Sequence, residues 1–213
     1  MFVDTEAKYS PKKLNEFVYP NKHVKQTVEY YASGEATRPL ILSGTNGTGK
    51  SLLATLIPKA IDGNGVQVTK VSGQELNSSK EVQNTFYNNK QFDKLFKRNE
   101  HYNYTVIEEL NIDSKARDAL KIALDETRGT DLAIITTNNI MGIDIGIRSR
   151  CEVLEVPACT PEVFLPHAKY ILQSEGVSLD DALLYDALEA AYEERADNRK
   201  YYQKLDELFR KMN

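Results

Sequence analysis

No apolar run in the chain approaches the roughly 18 residues that a membrane-spanning helix needs. The opening MFVDTEAKYS also lacks the apolar core of a secretory leader. The expected location is therefore the cytoplasm or an equivalent reducing compartment. Only two cysteines occur, Cys151 and Cys159, without metal-ligand spacing, so free thiols are expected rather than a disulfide framework. A basic surplus is missing too: 27 Lys and Arg stand against 31 Asp and Glu, for a net charge of −4. The deficit is confined to residues 158–213, with 7 basic and 11 acidic groups, while residues 1–157 hold 20 of each. Phosphate neutralisation supplies most nonspecific affinity for nucleic acid, so any DNA contact by this chain must be local or shared among subunits. Repeats and low-complexity tracts are absent. What is there, 213 residues at 41% hydrophobic and 27% charged, suffices for one good core with a small appended domain.

The most informative stretch is LILSGTNGTGKS, Leu40 to Ser51, an apolar strand running into the phosphate-cradling spacing GxxxxGKS. Gly44, Gly47 and Gly49 let the backbone curl, so that the N–H groups of the loop through Thr45, Asn46 and Thr48 turn toward phosphate. The next helix presents its positive end there, with Leu52 in its first turn. Lys50 is placed to reach the β and γ phosphates, and the Ser51 hydroxyl to ligate magnesium. Leu52 to Ile61 reads as that helix, ended or bent by Pro58.

Strands and helices then alternate. Val66–Val71, Tyr104–Ile107, Leu132–Thr136 and Cys151–Val156 read as further strands. Between Tyr104–Ile107 and Leu132–Thr136, Ser114–Thr127 reads as an amphipathic helix with Ala116, Leu120, Ala123 and Leu124 on one face. Five strands with intervening helices predict an α/β fold, a doubly wound parallel sheet with its ligand at the carboxyl ends of the strands. Beyond Pro157–Pro161 the pattern is helical throughout, with three helices around Val163–Ile171, Leu183–Ala191 and Tyr201–Phe209. The expected division is an α/β domain over 1–157 and a three-helix lid over 158–213.

The strand Tyr104–Ile107 ends in Glu108 and Glu109. Magnesium needs an anionic oxygen near Ser51 and an attacking water needs a base, and two acids at one strand end supply both. Glu108 is the expected metal ligand, directly or through water, and Glu109 the group that polarises the water. Thr137, Asn138 and Asn139 close the next strand; an amide such as that of Asn138 can donate to phosphate and accept from water.

The order GxxxxGKS, apolar strand with Glu-Glu, TTNN and IRSRC resembles the AAA+ ATPases, the clamp-loader subunits in particular. YSPKKLNEFV, Tyr9 to Val18, is similar to the YRPxxLDEhV opening of that family, which packs near the adenine. IRSRC, Ile147 to Cys151, resembles its SRC motif, and Ala196-Asp197-Asn198-Arg199 resembles the GDxR segment of the lid, especially in phage-type clamp loaders. The resemblance implies Mg-ATP hydrolysis in an oligomer, homo- or heteromeric. Arg150 would reach a neighbour's nucleotide, Arg199 would contact phosphate from the chain's own lid, and a sliding clamp or polymerase accessory protein would be the partner. Arg148, a nearby candidate, reads more simply as surface charge. The implied setting is DNA replication or recombination, viral included. The family's additional helical collar has no counterpart in these 213 residues, so the expected assembly is ATP-dependent, transient or completed by another protein.

Three positions depart from the pattern: Glu108 stands where aspartate is usual, Ala196 where glycine is, and the loop reads GTNG in place of GPPG. The first leaves open an ATP-binding subunit with little hydrolysis, and a non-replicative AAA+ regulator of a protein target is the other alternative. Lys80, Lys90, Lys94, Lys97 and Arg98 read first as a solvated helix face, although the resemblance turns that side toward DNA. Tyr87, Phe92 and Phe96 likewise read as core aromatics before base-stacking ones.

Overall fold

Strands that are apolar on both faces need cover on both sides, as in the middle of a parallel sheet flanked by helices. The computed structural model, which describes residues 4–88, 102–126, 129 and 131–212, shows such a sheet. Its five strands are β1 (Leu40–Ser43), β2 (Val68–Ser72), β3 (Asn103–Glu108), β4 (Asp131–Thr137) and β5 (Glu152–Glu155). All are parallel, in the order β2-β3-β4-β1-β5. Every residue of β1 and β4 is buried, whereas the edge strands β2 and β5 are half exposed and carry Lys70, Glu152 and Glu155, charges that discourage further pairing. Ser43 lies opposite Thr137, and Ile107 opposite Ile135, so β1, β4 and β3 end side by side. Lys90, Phe92, Lys94, Phe96, Lys97 and Arg98 lie outside the described residues; Lys80 is exposed, and Tyr87 packs on the core through a half-buried ring.

The helices are α1 (Thr5–Tyr9), α2 (Lys22–Ala32), α3 (Lys50–Asp62), α4 (Ser79–Gln83), α5 (Ser114–Glu126), α6 (Ile145–Arg150), α7 (Pro161–Ser174), α8 (Asp181–Glu194) and α9 (Asn198–Met212). Helix α5 buries the Ala116, Leu120, Ala123 and Leu124 stripe that its periodicity predicts. Its start is capped by Asp113, whose Oδ1 accepts from the Ala116 N–H at 2.9 Å. The helix expected over Leu52–Ile61 is α3, and Pro58 does not end it, since the helix runs on to Asp62. An interior proline costs a helix about 3 kcal/mol. Here Leu53, Ala54, Leu56, Ile57 and Pro58 itself are all buried, and that apolar burial offsets the lost bond. Helix α2 has no place in the expected element list, yet Val24, Thr27, Val28 and Tyr31 are buried at helical spacing.

The chain divides into two compact units. One comprises Gln26–Gly44 with Lys50–Glu155 and contains the sheet. The other comprises Met1–Lys25, Thr45–Gly49 and Val156–Asn213, so that the C-terminal helices group with the N-terminal segment and the middle of the glycine-rich loop. Its core is built on Phe164 of α7 stacked against Tyr201 of α9, with centroids 4.5 Å apart. Helix α1 docks on α9: Thr5, fully buried, donates from Oγ1 to the Tyr202 carbonyl at 3.0 Å and from N to Asp206 Oδ1 at 3.1 Å. The Lys8 ammonium and the Tyr9 hydroxyl both donate to Glu175, just past the end of α7.

Candidate active site

The loop after β1 has the backbone that its glycines allow. Gly44, Gly47 and Gly49 have φ of 146°, 76° and 93°, values that side-chain-bearing residues rarely adopt. Two of them are also pressed by neighbours. A Cβ at Gly47 would fall 1.5 Å from Asp197 Oδ1, and one at Gly49 2.7 Å from the Phe17 ring. Asp197 is held in turn by the start of α9, its Oδ1 accepting from the Arg199 N–H at 2.9 Å. Between the glycines, Thr45 and Asn46 are exposed, while Thr48 is fully buried and donates to the Thr45 carbonyl at 3.3 Å. Lys50, 7% exposed, opens α3, followed by exposed Ser51 and half-buried Leu52.

At the end of β3, Glu108 is half-buried and Glu109 exposed. Glu109 has φ of 52°, the one positive value among the described non-glycine residues. Three contacts hold it there: its N–H donates to Thr136 Oγ1 at 3.2 Å, the next N–H, of Leu110, donates to the Thr136 carbonyl at 3.1 Å, and Gly73 presses on its carbonyl. A Cβ at Gly73 would lie 2.4 Å from that oxygen. Backbone strain of this kind persists where surrounding structure over-determines it, and it concentrates at functional positions. Asn138 Nδ2 lies 3.5 Å from Glu109 Oε1, a long contact that turns the amide toward the carboxylate. Thr137 and Asn139 serve the turn instead: Thr137 Oγ1 accepts from the Asn139 N–H, and Asn139 Oδ1 from the Gly142 N–H. Of the three polar residues ending β4, Asn138 is the one that meets the acid.

The arginines sit differently. Arg150, last residue of α6, donates through Nε to Asp125 Oδ2 at 2.9 Å and through Nη1 to the Gly146 carbonyl at 2.8 Å. Arg148 points its Nη1 at Met141 Sδ, 3.8 Å away, and its Nε is buried with no hydrogen-bond partner among the described residues. Arg38 grips the end of the same helix, donating to the Ser149 and Cys151 carbonyls at 2.8 and 2.9 Å. Cys151 itself packs into the core, and burial pushes its thiol up to about 12. Arg199, second residue of α9, has a largely exposed side chain 3.6 Å from Glu6.

Magnesium prefers hard oxygen donors and is ordinarily held by one or two side chains together with substrate phosphates. Ser51 and Glu108 supply that donor set, a hydroxyl in the first turn of α3 and a carboxylate at the end of β3. No cluster of three His, Cys, Asp or Glu fit for a metal occurs among the described residues. Thr136, Gly73, Arg38 and Asp125 escape sequence reasoning, because each acts on a partner that only folding brings near; Asp197 is marked within the lid motif, but its approach to Gly47 is not.

Comparison with known proteins bears on the family of the chain. The model of the ATPase family associated with various cellular activities, AAA, matches residues 40–157. A putative replication factor C small subunit of Acanthamoeba polyphaga mimivirus is 25% identical over 203 residues, covering 81% of this chain and 54% of that protein. Replication factor C small subunit 2 of Pyrobaculum arsenaticum is 27% identical over 192 residues, covering 87% and 56% respectively. The chain thus spans about half the length of these relatives. Among solved structures, the Thermotoga maritima RuvB Holliday junction branch migration motor superposes with a TM-score of 0.71 at 19% identity, covering 91% of this chain and 62% of that one, a likeness of fold. Because the family match runs from β1 through the glycine-rich loop, the two acids, Asn138 and Arg150 to the end of β5, more than half of the sequence, the chain belongs to the AAA family of ATPases.

Proposed function

We propose that this chain is a Mg-ATP-dependent, clamp-loader-like subunit acting in DNA replication, with ATP sites shared between neighbouring subunits. The observation that carries the hydrolytic part is Glu109, locked in a left-handed backbone by Thr136 and Gly73 and faced by the Asn138 amide at 3.5 Å. The relatives named as replication factor C small subunits support the replicative part. In this reading Glu109 accepts a hydrogen bond from the attacking water and draws off its proton as the new O–P bond forms. Asn138 fixes the water's direction, Lys50 balances charge on the β and γ oxygens, and the bridging bond to the γ phosphorus breaks to leave ADP and phosphate. Magnesium, held by Ser51 and Glu108, would neutralise phosphate charge.

Arg150 acts in trans, offering guanidinium donors to the γ phosphate of a neighbour, a contribution worth about 1,000-fold or more where it has been dissected in related chemistry. Arg199 acts in cis, from a lid formed by residues 158–213. DNA is met at a surface composed by several subunits, which fits a chain with 27 basic and 31 acidic residues. A sliding clamp or polymerase accessory protein is the partner. The test is ATPase rate against protein concentration, with and without primed DNA. A rate per subunit that rises steeply with concentration and again with DNA is expected; a rate independent of both would sink the shared-site reading. Lys50→Ala should abolish nucleotide binding, whereas Glu109→Gln should bind ATP and not turn it over; full turnover by the latter would leave a binding module in place of an ATPase.

A further inference from the structure

We propose that Asp125 is a positioning residue for Arg150: it sets the arginine's orientation toward the neighbouring subunit's nucleotide. This rests on the trans role for Arg150 given above. The guanidinium has five N–H donors in a rigid plane. In this chain two are occupied from within the subunit, Nε by Asp125 Oδ2 at 2.9 Å and one of Nη1 by the Gly146 carbonyl at 2.8 Å. Among the described residues three donors remain, one on Nη1 and two on Nη2, and they are the ones a phosphate oxygen can take. A plane anchored at two of its atoms has its rotation largely fixed. The backbone anchor is local, four residues back along α6. The side-chain anchor comes from the last turn of α5, so it ties the arginine's direction to a second element.

The pair does little for stability, since the Asp125 side chain is 57% exposed and the Arg150 side chain 33%. An exposed ion pair biases a side chain's populations by about two- to fivefold. That bias is negligible for folding, but it multiplies directly into the fraction of subunits whose arginine is aimed. Asp125→Ala is therefore expected to lower turnover at saturating ATP and protein by about two- to fivefold, with the KM for ATP and the thermal midpoint unchanged. Asp125→Asn, which keeps an acceptor oxygen at the same place, should recover most of the loss. In the Arg150→Ala background, Asp125→Ala should have no further effect.

Mixing separates the proposal from the reading beneath it. Glu109→Gln subunits have a dead site but an intact arginine, so adding them to Asp125→Ala subunits should raise turnover per Asp125→Ala site toward the unmutated rate. If Glu109→Gln subunits fail to rescue Arg150→Ala, the trans role itself is wrong. If they rescue Arg150→Ala while Asp125→Ala turns over at the unmutated rate, or faster, the trans role stands and the positioning role is overturned. Additive losses in the double variant would overturn it as well.

Discussion

Glu109 combines an exposed carboxylate with a constrained backbone. A φ of 52° places a side-chain-bearing residue in the left-handed region, at a cost of about 1 kcal/mol or more. Glycine adopts it freely, so Glu109→Gly should be more stable than Glu109→Gln by about 1 kcal/mol in denaturant unfolding, with both inactive. Equal stabilities would show that the strain is not there to be relieved. Thr136→Val removes the hydroxyl that receives the Glu109 N–H, for a loss of about 1 kcal/mol of stability. It should lower turnover while leaving ATP affinity intact, as nucleotide titration would report. The two cysteines behave as packing residues: burial raises each thiol to about 12, so both stay protonated at pH 8. Iodoacetamide should label Cys151 and Cys159 in the unfolded chain and neither in the folded one; rapid native labelling would contradict their burial.

Among the elements, α6 depends most on a distant residue. Arg38 lies 111 and 113 residues from the two carbonyls it caps, and no local rule connects it to the SRC segment. Arg38→Ala should cost about 1 to 2 kcal/mol and loosen the end of α6, raising hydrogen exchange there and reducing any activity that depends on Arg150. Unchanged exchange across Ile147–Glu152 would assign the capping bonds no structural role. Helix α3 makes the converse point. Local chemistry would end or bend it at Pro58, and the helix continues to Asp62 with five of its residues from Leu53 to Pro58 buried. Strand positions, α5 and the three C-terminal helices follow their periodicity closely. The missing α2 had the same signal in Val24, Thr27, Val28 and Tyr31, diluted by the polar residues around them.

At the scale of the whole molecule, acid should act first on the docking of the N-terminal helix. The Glu175 carboxyl is held below its ordinary 4.5 by hydrogen bonds from Lys8 and then Tyr9. A carboxylate whose folded value is depressed stabilises the fold above its unfolded value, and that contribution is lost as pH falls through the folded one. Lys8, raised by the same partner, keeps its share at all lower pH until Glu175 protonates. Residues 5–9 should therefore become susceptible to protease below pH 4.5 while α9 stays protected, and Glu175→Gln should show that susceptibility already at pH 7. Continued protection of the Glu175→Gln variant at pH 7 would assign the docking to the contacts with α9, Thr5 with Tyr202 and Asp206 and Glu6 with Arg199.

The sequence by itself marked the five strands, most of the longer helices and the glycine-rich loop. These follow from local rules, apolar periodicity for the strands and helices and glycine spacing before a helix for the loop. It also marked Glu109 and Asn138 by their places at strand ends, and Arg150 through the resemblance of IRSRC to a family motif. Only the tertiary structure decided the strand order, which sets β3, β4 and β1 side by side in the middle of the sheet, and the partners that aim those side chains. Thr136 under Glu109, Asp125 beside Arg150 and Asp197 against Gly47 are separated in sequence by 27, 25 and 150 residues. Such contacts depend on where the backbone passes in space, and local sequence signals carry no information about that.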